Sequence, residues 1–153
     1  MISVAKAFVL SFVAVSSLAL PAQAPAETVG LLLLRLQEQS AAPLVQHCVA
    51  EVPELKRPLE VEYSQFTKRF RKAAVPLRAR IKANKELSKP ASPELIRQFK
   101  MMDPEFLTQF RSTDPHVACA RLKENLSKAT EQSIQRNMES AFAQYTALAR
   151  QSR

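Results

Sequence analysis

Glycine is almost absent from this chain. Among 153 residues there is one glycine, Gly30, against ten prolines. Dinucleotide-binding folds, phosphate-binding P-loops and nucleophile elbows all depend on glycine turns, so the sequence argues against each of them. A sheet protein with several tight hairpins would also need more glycine. Helices punctuated by proline remain, and the chain is long enough for one domain with one core.

Catalytic motifs are missing as well. The chain contains no H-E-x-x-H, no G-x-S-x-G and no lone cysteine nucleophile. General base catalysis would depend on one of two histidines, His47 or His116. There is no C-x-x-C-H motif for covalent haem attachment. The sequence therefore predicts a non-catalytic protein without a metal or small-molecule cofactor, and a His-dependent enzyme is the weaker alternative.

Residues 1–26 have the order of a secretory signal peptide. One charged residue, Lys6, precedes the uncharged run 7–20, and small residues follow Pro21 as far as Ala26. The run has 14 residues, whereas a membrane-spanning helix needs about 20. The pattern therefore predicts export, with the protein in a periplasm or outside the cell.

Two cleavage points satisfy the A-x-A rule, one after Ala24 and one after Ala26. We favour the second, because the first would place Pro25 directly after the cut. The predicted organisation is a signal peptide, 1–26, followed by a single helical domain, 27–153. The alternative is an uncleaved anchor, since residues 7–26 carry no charge.

Cys48 and Cys119 are the only cysteines, and both remain after the predicted cleavage. In an exported protein an even cysteine count favours a disulfide, so we predict that these two are bonded. Each cysteine also has a histidine nearby, His47 and His116, which leaves a Cys2His2 metal site as the alternative. His47 and Cys48 are adjacent and point about 100° apart on a helix, so they would chelate a metal poorly.

Apolar residues recur at helical spacing in three long arms. The first spans about 28–51 with a break at 40–43, the second spans 59–88, and the last spans 115–149 without an internal proline or glycine. The second arm has a stripe within about 60° of one line on a helical wheel, formed by Tyr63, Phe66, Phe70, Ala73, Ala74, Leu77 and Ile81. Pro76 lies away from this stripe, so we expect it to bend the helix without opening its packing face.

Three helix starts are predicted between the second and last arms. Ser92-Pro93, Asp103-Pro104 and Asp114-Pro115 each place a good N-cap before a proline. The first two would open short helices of about two turns each, and these return the chain to the cysteine junction. The predicted fold is all-α, a compact helical bundle of about four helical layers with one layer segmented by Pro-started short helices.

Positive charge is concentrated in the second arm. Residues 68–89 hold nine basic residues against one acid, so the segment alone carries net +8, whereas the rest of the predicted mature chain sums to −1. Five of the cations lie along one edge of the helical wheel: Arg71, Arg78, Lys82, Lys85 and Lys89. Such a row could bind anionic lipid, lipopolysaccharide or nucleic acid. The alternative is a solvated face that keeps the helix soluble, with neighbouring glutamates neutralising the row.

The sequence leaves three functions in order of preference. The first is an extracytoplasmic, non-catalytic accessory factor that binds another protein. The second is a binder of anionic membrane surfaces or polymers through the basic helix at 68–89. The third is a His-dependent enzyme or a Cys/His metal protein. No motif names the partner.

Overall fold

In the computed structural model, residues 26–152 are described, apart from the side chains of residues 102–104. Six α-helices and one 3₁₀ turn, Pro53–Leu55, make up the described chain. The helices are α1 Val29–Gln39, α2 Ala42–Glu51, α3 Lys56–Ala83, α4 Pro93–Arg111, α5 Pro115–Lys128 and α6 Glu131–Gln151. The predicted all-α bundle is confirmed. The predicted signal segment lies outside the described residues except for Ala26.

Helix α3 is the axis of the bundle, and it contacts α1, α2, α5 and α6. The predicted apolar stripe forms the buried face of α3. Six of its seven residues are buried, and Tyr63 is half-buried. The helix continues through Pro76, whose side chain is exposed. α3 ends earlier than predicted, because the Asn84 side chain accepts hydrogen bonds from the backbone N–H groups of Glu86 and Leu87 and closes a turn.

Helix α1 begins beside the C-terminal end of α3. The Gly30 and Val29 N–H groups donate to the carbonyls of Leu87 and Lys89, each at 2.9 Å. A Cβ atom on Gly30 would lie 2.6 Å from Cγ1 of Ile81, closer than any non-bonded carbon pair allows. The single glycine therefore permits the close approach of α1 to α3. The break predicted at 40–43 separates α1 from α2 and is confirmed.

A disulfide joins α2 to α5, as predicted. The Cys48 and Cys119 sulfurs are 2.05 Å apart, their Cα atoms are 5.5 Å apart, and neither residue is exposed to solvent. Because both sulfurs take part in this bond, neither is a thiolate ligand for the alternative Cys2His2 metal site.

The uninterrupted last arm was a wrong prediction, because the chain breaks between α5 and α6. Thr130 and Ser133 cap each other at the start of α6, with each side chain bonded to the other's backbone N–H. Nη2 of Arg69 donates to the Leu126 carbonyl at 2.6 Å, which satisfies one carbonyl near the end of α5. The Thr130–Ser133 cap and the contact from Arg69, 57 residues before Leu126, thus stabilise the break between α5 and α6 without a proline or a glycine.

The helix end predicted at Asp103-Pro104 was also wrong. α4 is one helix from Pro93 to Arg111, with Ser92 as its N-cap. The same apolar face continues on both sides of the expected break, with Phe99 before it and Phe110 after it. A proline removes one helical hydrogen bond, yet α4 runs through Pro104 without a break. The segmented layers of the bundle are therefore the first arm, α1 and α2, and the last arm, α5 and α6. The layer predicted to be segmented is the single helix α4.

The core is one cluster along α3. Its largest fully buried side chains come from every helix except α4 and from two connecting turns: Leu32, Cys48, Val52, Leu59, Phe70, Leu77, Leu87, Cys119 and Met138. Between residues 26 and 152, no helix has both the length and the apolar character of a membrane span.

Candidate functional surfaces

The five cations of the predicted basic ridge all lie on exposed surface. The two ends of the ridge are paired: Nε of Arg71 lies 2.8 Å from Oε1 of Glu38, and Nζ of Lys89 lies 2.8 Å from Oε2 of Glu86. Arg78, Lys82 and Lys85 have no carboxylate within 4.0 Å in the described part of the chain. The unpaired cations of the ridge thus lie between residues 78 and 85, at the C-terminal end of α3 and in the turn that follows it.

Other cations of the same segment bind neighbouring helices. Lys72 pairs with Glu131 at 3.0 Å and Arg80 with Glu139 at 3.3 Å, so two ion pairs join α3 to α6. The alternative of a neutralised row rests on four glutamates of other helices, Glu38, Glu124, Glu131 and Glu139. Three of them contact basic residues of α3, whereas Glu124 pairs with Lys128 of its own helix. About half of the basic segment therefore serves packing between helices.

A groove between α1 and α3 balances its own charge. Glu27 and Arg35 form a two-point ion pair, with both nitrogen–oxygen distances at 2.9 Å. The hydrogen bonds from Arg35 hold the pKa of the Glu27 carboxyl below its ordinary value. Arg71 and Arg78 line the same groove, with Glu38 beside them. Three cations and two carboxylates leave little net charge for a ligand.

A second cleft, of about 360 Å³, lies between α3 and α6. Its floor is apolar, and its lining includes two arginines: Arg80, Asn84, Leu87, Glu139, Phe142, Ala143, Thr146, Ala147 and Arg150. Arg150 and Lys85 also line an adjoining depression. Sequence analysis missed this cleft, because a helical wheel of α3 alone cannot show which part of α6 packs beside it.

A third cleft, of about 210 Å³, lies between α4 and α5 and is mainly apolar. Leu44, Phe110 and Leu122 line it, and the Phe106 side chain stands at its edge with 58% of its surface exposed. His47 contacts Phe110 edge-on, with ring centroids 5.9 Å apart. Exposure of a large aromatic beside an apolar cleft is typical of protein contact surfaces.

The second histidine lies at the surface. Nδ1 of His116 is 3.4 Å from Oε1 of Glu54, and both side chains are well exposed. Among the residues that the structure describes, no group of three or more His, Cys, Asp or Glu side chains is arranged to hold a metal ion.

Comparison of the chain with protein-family models, with curated proteins and with solved structures gives no match.

Proposed function

We propose that the protein is an extracytoplasmic, non-catalytic accessory factor that binds another protein through the cleft between α4 and α5. The observation that carries this proposal is the apolar face of α4. Phe106 is 58% exposed at the edge of the cleft, and its neighbours on the same face, Leu107 and Phe110, are half-buried. Exposed aromatic side chains are enriched at protein interfaces.

The partner segment that suits this cleft has apolar side chains flanked by acids. The cleft itself is apolar, and Arg121 stands in its lining. The predicted mature chain, 27–153, carries a formal net charge of +7, which favours the approach of an acidic partner. An amphipathic helix with an acidic polar face meets both requirements.

A photo-crosslinking amino acid at position 106 tests the proposal. In the envelope fraction of the native host, we expect a discrete adduct from position 106 and none from position 75, where Val75 is equally exposed on α3. Excess unlabelled protein should compete the adduct away, and the Phe106→Asp variant should not. Equal adducts from both positions would contradict the proposal. An adduct at twice the mass of the protein would show that this face of α4 binds a second copy of the chain and not a different protein.

Export rests on the predicted signal segment, and two features support it. A buried disulfide is typical of oxidising compartments. Glu27, the first residue after the preferred cleavage point, already takes part in the fold: its carboxylate binds Arg35 and its carbonyl accepts from Ala91 N–H at 2.8 Å. Intact-mass measurement of the exported protein should give a chain beginning at Glu27. The full mass of 17.1 kDa would show that the segment is retained.

The second candidate function is binding to an anionic surface, and the exposed cations Arg78, Lys82 and Lys85 support it. We expect Arg78→Gln/Lys82→Gln to weaken binding to phosphatidylglycerol vesicles and to flatten its salt dependence. The control, Lys100→Gln/Arg136→Gln, removes equal charge from exposed positions elsewhere. If the two variants bind the vesicles with equal affinity, the ridge is a solvated helix face and not a binding surface.

A further inference from the structure

The cleft between α3 and α6 has an apolar floor. Leu87 and Phe142 close its base and are almost completely buried, and Ala143 and Ala147 of α6 contribute small side chains to its lining. Its volume of about 360 Å³ lies within the range of small-molecule sites in proteins. The small alanine side chains leave space that a hydrocarbon group can fill.

Cations stand around this floor. Arg80 and Arg150 line the cleft, and Lys85 lies with Arg150 in the adjoining depression. Arg80 has Glu139 at 3.3 Å, but a guanidinium has five N–H donors, so this contact leaves donors for a second anion. Arg150 has no carboxylate within 4.0 Å among residues 26–152. Arginine binds carboxylate and phosphate groups through paired hydrogen bonds.

Asn84 adds a donor of fixed orientation. Its Oδ1 accepts from the N–H groups of Glu86 and Leu87, at 3.0 and 3.2 Å. Its Nδ2 therefore points the other way and donates to Oγ1 of Thr146 at 3.4 Å, across the cleft. The amide nitrogen has two hydrogens, so one remains after the contact with Thr146. A donor held in place by the fold costs less entropy when a ligand binds.

We propose that this cleft binds a small amphiphilic anion, in which one carboxylate or phosphate group is joined to an apolar group. The anionic group binds Arg80, Arg150 and the amide of Asn84, and the apolar group lies on the floor. This site is separate from the partner-binding cleft between α4 and α5 and does not depend on it. A free amphiphile and a lipid of an anionic membrane share the required chemistry.

Three probes test the two halves of the proposed ligand. The ¹⁵N-labelled exported protein is titrated with octyl phosphate below its micelle-forming concentration, with inorganic phosphate and with octyl glucoside. We expect octyl phosphate to bind at least tenfold more tightly than either other probe, with the largest shifts in α6 and at Asn84. Inorganic phosphate or octyl glucoside binding as tightly as octyl phosphate would overturn the proposal, as would shifts centred on α4.

Two variants test the cleft itself. Arg150→Gln should raise the Kd for octyl phosphate at least fivefold, and Ala147→Leu should raise it by occupying the space above the apolar floor. Arg136→Gln is the matched control, because it removes the same charge from an exposed position on the same helix that does not line the cleft. All three positions are exposed, so the urea midpoint serves as a check that folding is retained. Unchanged affinity in both cleft variants would overturn the proposal.

Vesicles containing phosphatidic acid identify the source of the ligand. The wild-type protein is sedimented with these vesicles, beside Arg150→Gln and Arg78→Gln/Lys82→Gln. If Arg150→Gln no longer sediments and the double variant still does, the ligand is a membrane lipid. Binding of octyl phosphate without sedimentation supports a free amphiphile. In both cases the cleft is the site, and Arg78 and Lys82 of the ridge, which do not line it, are not required for binding.

Discussion

Helices α3 and α4 are both amphipathic, yet they differ in how far their apolar faces are buried. Seven residues of α3 are buried, whereas none of the α4 residues with a described side chain is. α3 has helices on both flanks, and α4 packs chiefly on α2. The apolar period therefore predicts which face of a helix turns inward. How much of that face is buried depends on how many other helices the fold packs against it.

Of the changes that test the difference between α3 and α4, removal of the disulfide should lower stability most. The bridge spans 71 residues and encloses both helices. We expect Cys48→Ala/Cys119→Ala to lower the free energy of unfolding by about 4 kcal/mol, since a long loop is no longer constrained in the unfolded chain. Urea denaturation measures the loss. Hydrogen exchange should quicken more in α4 than in α3, because α4 has fewer packing contacts to retain it. Equal acceleration in both helices would contradict the comparison.

A matched pair of leucine truncations compares the two helices directly. Leu77 of α3 is 1% exposed, whereas Leu107 of α4 is half-buried against the same core. Leu77→Ala should cost about 3 kcal/mol of stability, through lost burial and a residual cavity. Leu107→Ala should cost about 1 kcal/mol, because water already reaches its side chain. Similar losses from thermal unfolding of the two variants would show that α4 is packed as tightly as α3.

Gly30→Ala tests how closely α1 approaches α3. The added methyl group would overlap Ile81, and the resulting shift should cost about 1 to 2 kcal/mol despite the better helix propensity of alanine. In an Ile81→Ala background the obstructing atoms are gone, so the same substitution should be neutral or stabilising. Chemical denaturation of the four chains gives the coupling between the two positions. Additive effects would remove the steric explanation.

The smallest expected effect is at the start of the described chain. Because the folded pKa of Glu27 is lowered by Arg35, the pair stabilises the fold above the ordinary carboxyl pKa of 4.5. That contribution is lost as pH falls through the lower folded pKa. Both groups are partly exposed, so we expect no more than about 1 kcal/mol. Stability curves of the wild type and Glu27→Gln should differ at pH 7 and converge once the pH has fallen below the lowered folded pKa of Glu27. A constant difference would indicate a cause other than the carboxylate charge.

The sequence predicted the parts of the fold that depend on local pattern. The stripe on α3, the break before α2 and the caps at Ser92 and Asp114 follow from periodicity and N-cap chemistry. The three errors lie at helix ends. Arg69 helps to end α5 from another helix, and the Asn84 side chain closes a turn that ends α3 before residue 88. α4 runs without a break through its internal Asp-Pro pair, where the N-cap pattern predicted a new helix.

The candidate surfaces were less predictable than the fold. The helical wheel placed the ridge correctly on exposed surface, but only the packed bundle shows that Glu38 reaches Arg71 across 33 residues of chain. Arg150 was not singled out, because its relation to Arg80 depends on how α6 lies beside α3. The sequence therefore shows where charges lie along one helix. It does not show which of them form ion pairs with another helix.

The bond between Cys48 and Cys119 closes the intervening polypeptide into a covalent ring. A protease that cuts once inside this ring, for instance in the turn between α3 and α4, leaves two fragments that remain joined. Such a nicked molecule migrates as one species on an unreduced gel and separates into two only after a thiol is added. An endopeptidase in an oxidising compartment can therefore cut the exposed residues 88–90 of this turn without separating α2 from α5.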